Sequence, residues 1–198
     1  MADSHSPFDV LEAYLLARAS FSAEELVFMR TLFLPRRLAA GDFLQRGGDA
    51  ARHAAFVARG CLRSFVIDAK GKEHIVQFAP ETWWLADSNS LNTGGPSQYF
   101  IDAIEDSELL LIDGPSHEGL LARVAAFGIA FRTGVQRHSA AKDERIVSTL
   151  SASAEERYLQ FLATYPSIVR RVPQSMLASY LGITPETLSR IRKNLSRR

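Results

Sequence analysis

Seven side chains close to the C-terminus combine acceptor, donor and cationic groups at helical spacing: Thr184, Glu186, Thr187, Ser189, Arg190, Arg192 and Lys193. A carboxylate such as Glu186 accepts from the amino group of cytosine, and a guanidinium one turn later, Arg190, grips the O6 and N7 edge of guanine. Arg192 and Lys193, with Arg197 and Arg198, suit phosphate oxygens, which fix position without reading sequence. Such chemistry works only from a rigid helix, so the surrounding segment must supply one.

That segment, 172–198, reads VPQSMLASYLGITPETLSRIRKNLSRR. Two helices joined by a tight turn place Leu177, Leu181, Leu188 and Ile191 inward, with Ile183 plugging the turn. Ala178 is small where the helices approach, and Gly182 stands where a left-handed C-cap is needed. Thr184 caps the second helix and Pro185 accepts its first position. The spacing matches a DNA-binding helix-turn-helix; an ordinary αα-hairpin with a charged face is the alternative.

Charge distribution favours the first reading. The net charge is +1, yet residues 169–198 hold seven arginines and lysines against Glu186 alone, a surplus of +6 that leaves −5 for the rest. A basic tip on an acidic body faces a polyanion.

Upstream, 8–33 shows helical spacing in two short runs, with Ser22 as an N-cap ahead of Glu24 and Glu25. From Phe33 to about Ile112, short apolar runs are punctuated by Gly41-Asp42, Gly47-Gly48-Asp49, Gly60, Gly71, Pro80 and Gly94-Gly95-Pro96, the texture of a β-barrel or jelly roll. Residues 61–67 and 73–78 flank a turn and form the clearest hairpin. Beyond Pro115 an apolar stripe through Leu120, Leu121, Val124, Phe127, Phe131 and Val135 predicts one long helix, and residues 150–165 another that Pro166 ends. By itself the stripe fits a core or a partner-helix seam equally well.

From about Leu32 to Leu195 the chain resembles the Crp/Fnr family of bacterial transcription regulators. The residues carrying the likeness are the Gly41-Asp42 and Gly47-Gly48-Asp49 turns, Gly60, the stretch from Asp68 to Phe78, and the TPETLSRIRK helix. The resemblance implies an α+β fold. An N-terminal antiparallel β-roll, jelly-roll-like and flanked by helices, would occupy 1–113 as a cyclic-nucleotide-binding-like sensor. A long central dimerisation helix region would follow over 114–148, then a helix-turn-helix DNA-binding domain over 149–198. It also implies a homodimer on a pseudo-palindromic double-stranded DNA site, responding to a small-molecule effector. In that frame Val124, Phe127, Phe131 and Val135 become a dimer seam, continued towards Ile146. Family members usually extend past the reading helix into a β-hairpin wing; the chain stops after Arg198 with no evident wing, which implies weaker phosphate contacts.

The departures concern the effector. Family members that bind cyclic nucleotide carry a Gly-Glu pair, then an Arg-Ser or Arg-Thr pair whose arginine neutralises the cyclic phosphate. Here Ala86-Asp87 and Ser97-Gln98 stand at those positions. A buried phosphodiester without a cationic partner is costly, so a response to cyclic AMP is not expected unless Arg123 or Arg132 on the central helix supplies the charge. Ala86, Asp87, Ser88, Ser97 and Gln98 are candidate effector-pocket residues, or simply hydrogen-bonded loop.

Other chemistries find no footing. One cysteine, Cys61, cannot hold an iron-sulfur cluster or form an intrachain disulfide. His53, His74, His117 and His138 are isolated, and Trp83-Trp84 reads as core and rim, so no metal or cofactor is expected. Serine-elbow, phosphate-loop and zinc-protease motifs are lacking, which argues against an enzyme. Arg123 and Arg132 interrupt the most apolar helix, and the N-terminus has no signal-peptide pattern, so a cytoplasmic protein off the membrane is expected. A ligand-sensing module whose degenerate C-terminus binds protein instead of DNA is the competing function.

Overall fold

Two reciprocal caps open the chain. The Ser6 N–H donates to Asp9 at 2.9 Å at the start of α1 (Pro7–Leu16), and Ser22 and Glu25 exchange the same pair of bonds ahead of α2 (Ala23–Arg30). A computed structural model describes residues 6–196, the side chains of Arg137 and His138 apart. After α2 come β1 (Leu34–Leu38), β2 (Phe43–Gln45), β3 (His53–Arg59), β4 (Leu62–Ile67), β5 (Glu73–Ala79) and β6 (Trp84–Leu85). The chain continues through α3 (Ser88–Thr93), β7 (Phe100–Ala103), β8 (Ser107–Asp113), α4 (Gly114–Arg123), α5 (Ala125–Ser151), α6 (Ala154–Thr164), α7 (Gln174–Leu181) and α8 (Pro185–Leu195).

Among the described residues the strands form two four-stranded antiparallel sheets, ordered β1-β8-β3-β6 and β2-β7-β4-β5. This is the α+β architecture with a β-roll expected from sequence. The β4–β5 hairpin pairs Ile67 with Glu73 across the Asp68 turn, close to the predicted limits. Strands β3 and β8 explain the helical layer. Val57, Leu109 and Leu111 point between the sheets, whereas Phe56, Ala58, Leu110 and Ile112 form an apolar outer face. With both faces apolar the sheet must be covered twice, as in sheets sandwiched between layers. Leu11, Tyr14 and Leu15 of α1 cover the outer face together with Leu120, Val124, Phe127 and Ala130.

That layer corrects two expectations. The stripe is not one helix: the chain turns at Val124 (φ −120°, ψ 90°), where α4 ends and α5 begins. Nor does it lie free as a seam. Val124 and Phe127 are buried in the subunit's own core, and Phe131 stacks on Phe127 and meets Trp84 edge-on, leaving Val135 of the four exposed. The sheet's outer face claims them first. The next helix also starts later than expected, at Ala154, because α5 runs on to Ser151 and Ser153 begins a new capping box with Glu156.

Gly60 makes the corner where the chain leaves one sheet for the other. Its φ is 90°, and a Cβ there would stand 2.7 Å from the Asp106 carbonyl oxygen. Gly60→Ala is therefore expected to lower unfolding free energy by about 2 to 4 kcal/mol, combining left-handed strain with a backbone clash. Urea denaturation checks this; a loss below about 0.5 kcal/mol would mean that the corner relaxes freely.

Candidate nucleic-acid interface and sensor cavity

The helix-turn-helix is assembled by its turn. Gly182 takes the left-handed conformation (φ 66°, ψ 34°), and the Ile183 N–H bonds the Ala178 carbonyl at 3.0 Å, closing α7 in a Schellman-type end. Thr184 then accepts from the Thr187 N–H at 3.3 Å, and Pro185 opens α8. Leu177, Leu181, Leu188 and Ile191 are buried and Ile183 packs against them.

On the opposite side Glu186, Ser189, Arg190 and Lys193 share one exposed face of α8. Thr184 is exposed at its start, Thr187 half-buried at one flank, and Arg192 exposed at the other. The Glu186 carboxyl is held below its ordinary value by the backbone N–H at its own position and the Thr184 hydroxyl, so it is an ionised acceptor at neutral pH. Arg197 and Arg198 lie outside the described residues.

A cavity of about 700 Å³ opens between the β-roll, α5 and the α6–α7 region. Ala86, Asp87, Ser88 and Gln98 line it, but the Ser97 side chain turns away into a bond: its hydroxyl donates to Asp87 at 2.6 Å. Asp87 also accepts from the Ser90 N–H at 3.2 Å, capping α3. Asp87 is thus both a hydrogen-bonded loop residue and a cavity wall.

Sequence reasoning missed much of the lining. Trp83, Lys142, Arg145, Tyr165 and Tyr180 also face the cavity. The cations come from α5, but neither is one of the arginines considered: Arg123 lies over the Phe28 ring at 3.9 Å, and neither it nor Arg132 lines the cavity. The spacing of Lys142 and Arg145 on one helix was readable. Nothing local to them, however, points to a pocket built by strands some seventy residues earlier.

The helix-turn-helix is docked on the β-roll. Ser179 of α7 accepts from the Ile75 N–H at 3.2 Å and donates to the Glu73 carbonyl at 3.1 Å, filling bonds on the edge of β5. Phe78 of β5 meets Phe161, Tyr165 and Tyr180, so the β-roll and the C-terminal helices share one core. Arg171, counted above with the basic tip, instead pairs with Glu81 at 2.7 Å and with Glu105. Arg145 donates to the carbonyls of Val76 (2.7 Å), Ile75 (2.9 Å) and Tyr180 (2.8 Å).

Residues 35–124 match the cyclic nucleotide-binding domain family. The probable transcriptional regulator flp of Lacticaseibacillus casei is 24% identical over 154 residues, spanning 75% of this chain and 70% of that protein. In fold the chain is similar to a mutant of CooA from Carboxydothermus hydrogenoformans, with TM-score 0.71 and 16% identity over 95% of this chain and 84% of that one. It is likewise similar to CLP, the c-di-GMP responsive global regulator of Xanthomonas campestris, with TM-score 0.69 and 14% identity over 89% and 92% of the two chains. The β-roll is thus of the cyclic-nucleotide-binding type, and the same chain carries a helix-turn-helix after it. In sequence the chain is similar to a probable transcriptional regulator, and in fold to a global regulator and to CooA.

The Arg171 clamp gives a pH-dependent test of docking. Burial works to raise the Glu81 carboxyl, but hydrogen bonds from Arg171 outweigh it and the net shift is downward. A carboxyl depressed in the folded state stabilises fully above its unfolded value, near 4.5, and that contribution disappears as pH falls through the lower folded value. Since the groups are partly exposed, Arg171→Met is expected to cost about 1 kcal/mol at pH 7. The difference from wild type should shrink below pH 4.5 in thermal melts; parallel pH profiles would contradict the clamp.

Proposed function

We propose that the protein is a homodimeric, sequence-specific regulator that inserts α8 into the major groove of duplex DNA and senses a small molecule in the β-roll cavity. The observation that carries this reading is the exposed face of α8, where Glu186, Ser189, Arg190 and Lys193 stand together on a capped helix with a buried apolar back. Arg190 reads a guanine, Glu186 accepts from a cytosine, and Arg192 and Lys193 hold phosphates. Two such helices in a dimer address half-sites about one helical turn apart. Such a partner belongs to the cytoplasm. No helix of the described residues is long and apolar enough to cross a membrane.

Dimer contacts are assigned to the outer face of α5. Ile129, Val135, Ile146, Val147 and Leu150 are exposed there, with Leu150 at 84%. Cyclic AMP is not the effector in this reading, because Ser97, bonded to the Asp87 carboxylate, and Gln98 stand where the family's nucleotide-binding members carry their arginine pair.

Fluorescence anisotropy on a duplex selected from a randomised pool tests DNA reading. Arg190→Ala should weaken the selected duplex by about 1 to 3 kcal/mol and relax preference at one base pair. Lys193→Ala should weaken all duplexes alike and reduce the salt slope by about one. Cyclic AMP should leave these values unchanged. Binding that neither depends on salt nor responds to these substitutions would instead favour a protein partner for the C-terminal unit.

Leu150→Glu combined with Ile129→Glu should yield folded monomers by sedimentation velocity, because both side chains are solvent-exposed within one subunit. A wild-type protein already monomeric at micromolar concentration would overturn the seam. Phe131→Glu is unsuitable for this purpose, since Phe131 packs within the subunit against Phe127 and Trp84.

A further inference from the structure

We infer that the cavity takes an organic monoanion, a carboxylate on an apolar body, whose charge is received by Lys142 and Arg145, and that Arg145 passes occupancy to α7 through the Tyr180 carbonyl. The inference rests on the reading of the cavity as a sensor for the DNA-reading unit.

Its first ground is charge. Among the described residues lining the cavity, the ionisable side chains of ordinary charge at neutral pH are Asp87, Lys142 and Arg145: one acid and two cations. Asp87 already accepts from Ser97 and from the Ser90 N–H. Arg145 is held by neutral acceptors alone, the carbonyls of Ile75, Val76 and Tyr180, and no carboxylate lies within ion-pair distance of it among the described residues. A partly buried guanidinium ordinarily has an anionic partner. Burial pulls both the Arg145 and Lys142 cations below their ordinary values, with Asp87 opposing the shift at Lys142. One added negative charge restores neutrality, which selects a monoanion.

The second ground is the wall. Trp83, Tyr165 and Tyr180 present aromatic surface, and Leu85 and Ile101 add aliphatic surface. These surfaces suit an apolar body, while the polar side chains of Ser64 and Gln77 offer few fixed points.

The third ground is connectivity. Arg145 lies on the inward side of α5, and the Tyr180 carbonyl that it holds closes α7 just ahead of Gly182 and the turn into α8. A carboxylate drawing the guanidinium into the cavity competes with that carbonyl, because charge-assisted bonds exceed neutral ones. Ligand and α7 therefore share one donor group, and occupancy changes how firmly the reading unit is held.

Calorimetric titration of the full chain with matched acid and amide pairs, 2-naphthoate with 2-naphthamide and indole-3-acetate with indole-3-acetamide, tests the charge assignment. At least one acid should bind about tenfold or more tightly than its amide, and Lys142→Met, with an unchanged melting profile, should erase that preference. Equal binding of acid and amide, no binding of either acid, or a preference surviving Lys142→Met overturns the assignment. For coupling, the preferred acid at saturation should shift affinity for the selected duplex by about fivefold or more. Arg145→Lys should keep acid binding but lose that shift. Acid binding with unchanged duplex affinity in the wild type overturns the coupling. A protein that prefers the acid but binds no duplex at any salt concentration refutes the DNA-reading proposal and leaves the cation assignment standing.

Discussion

A sheet apolar on both faces is the constraint from which the rest of the structure follows. Leu109 and Leu111 point inward and Leu110 and Ile112 outward, so β8 must be covered on its second side as firmly as on its first. The cover is α1 with α4 and the first turns of α5. Seating Phe127 and Phe131 against the roll fixes the rotation of α5 along its whole length. Further along, the same inward side carries Ala141 and Arg145, which reach the cavity. The outward side is left with Ile129, Ile146, Val147 and Leu150. One packing decision thus orients a cavity-lining face and an exposed apolar face on a single helix.

Local chemistry made part of this readable from sequence. Ser22 with Glu25, the Asp68 turn and the Gly182-Ile183-Thr184-Pro185 run each fix backbone within a few residues, and their elements stand close to where periodicity puts them. The apolar stripe was misread for an equally physical reason. Periodicity reports that Val124, Phe127 and Phe131 are buried but not what buries them, and a family likeness to dimer helices supplied the wrong partner. The break at Val124 has no glycine or proline to announce it.

The candidate site divides along the same line. Asp87 and Ser97 were visible because departures from a motif are local. Lys142, Arg145, Tyr165 and Tyr180 join them only through tertiary closure. Charge counting shows a similar limit: Arg171 and Arg190 contribute equally to a basic segment, yet Arg171 meets Glu81 and Glu105 whereas Arg190 stays exposed. Net charge marks a basic segment without saying which of its residues face outward.

Ser179 has a consequence beyond joining α7 to β5. By accepting from Ile75 and donating to Glu73, it stands in for a missing neighbouring strand at the rim of its sheet. Any movement that lifts α7 from β5 leaves that rim with open hydrogen-bonding groups, the template on which foreign strands add and aggregates grow. Separation of α7 from β5 and protection against self-association are therefore opposed in this chain. A form in which α7 has left β5 is the more adhesive one.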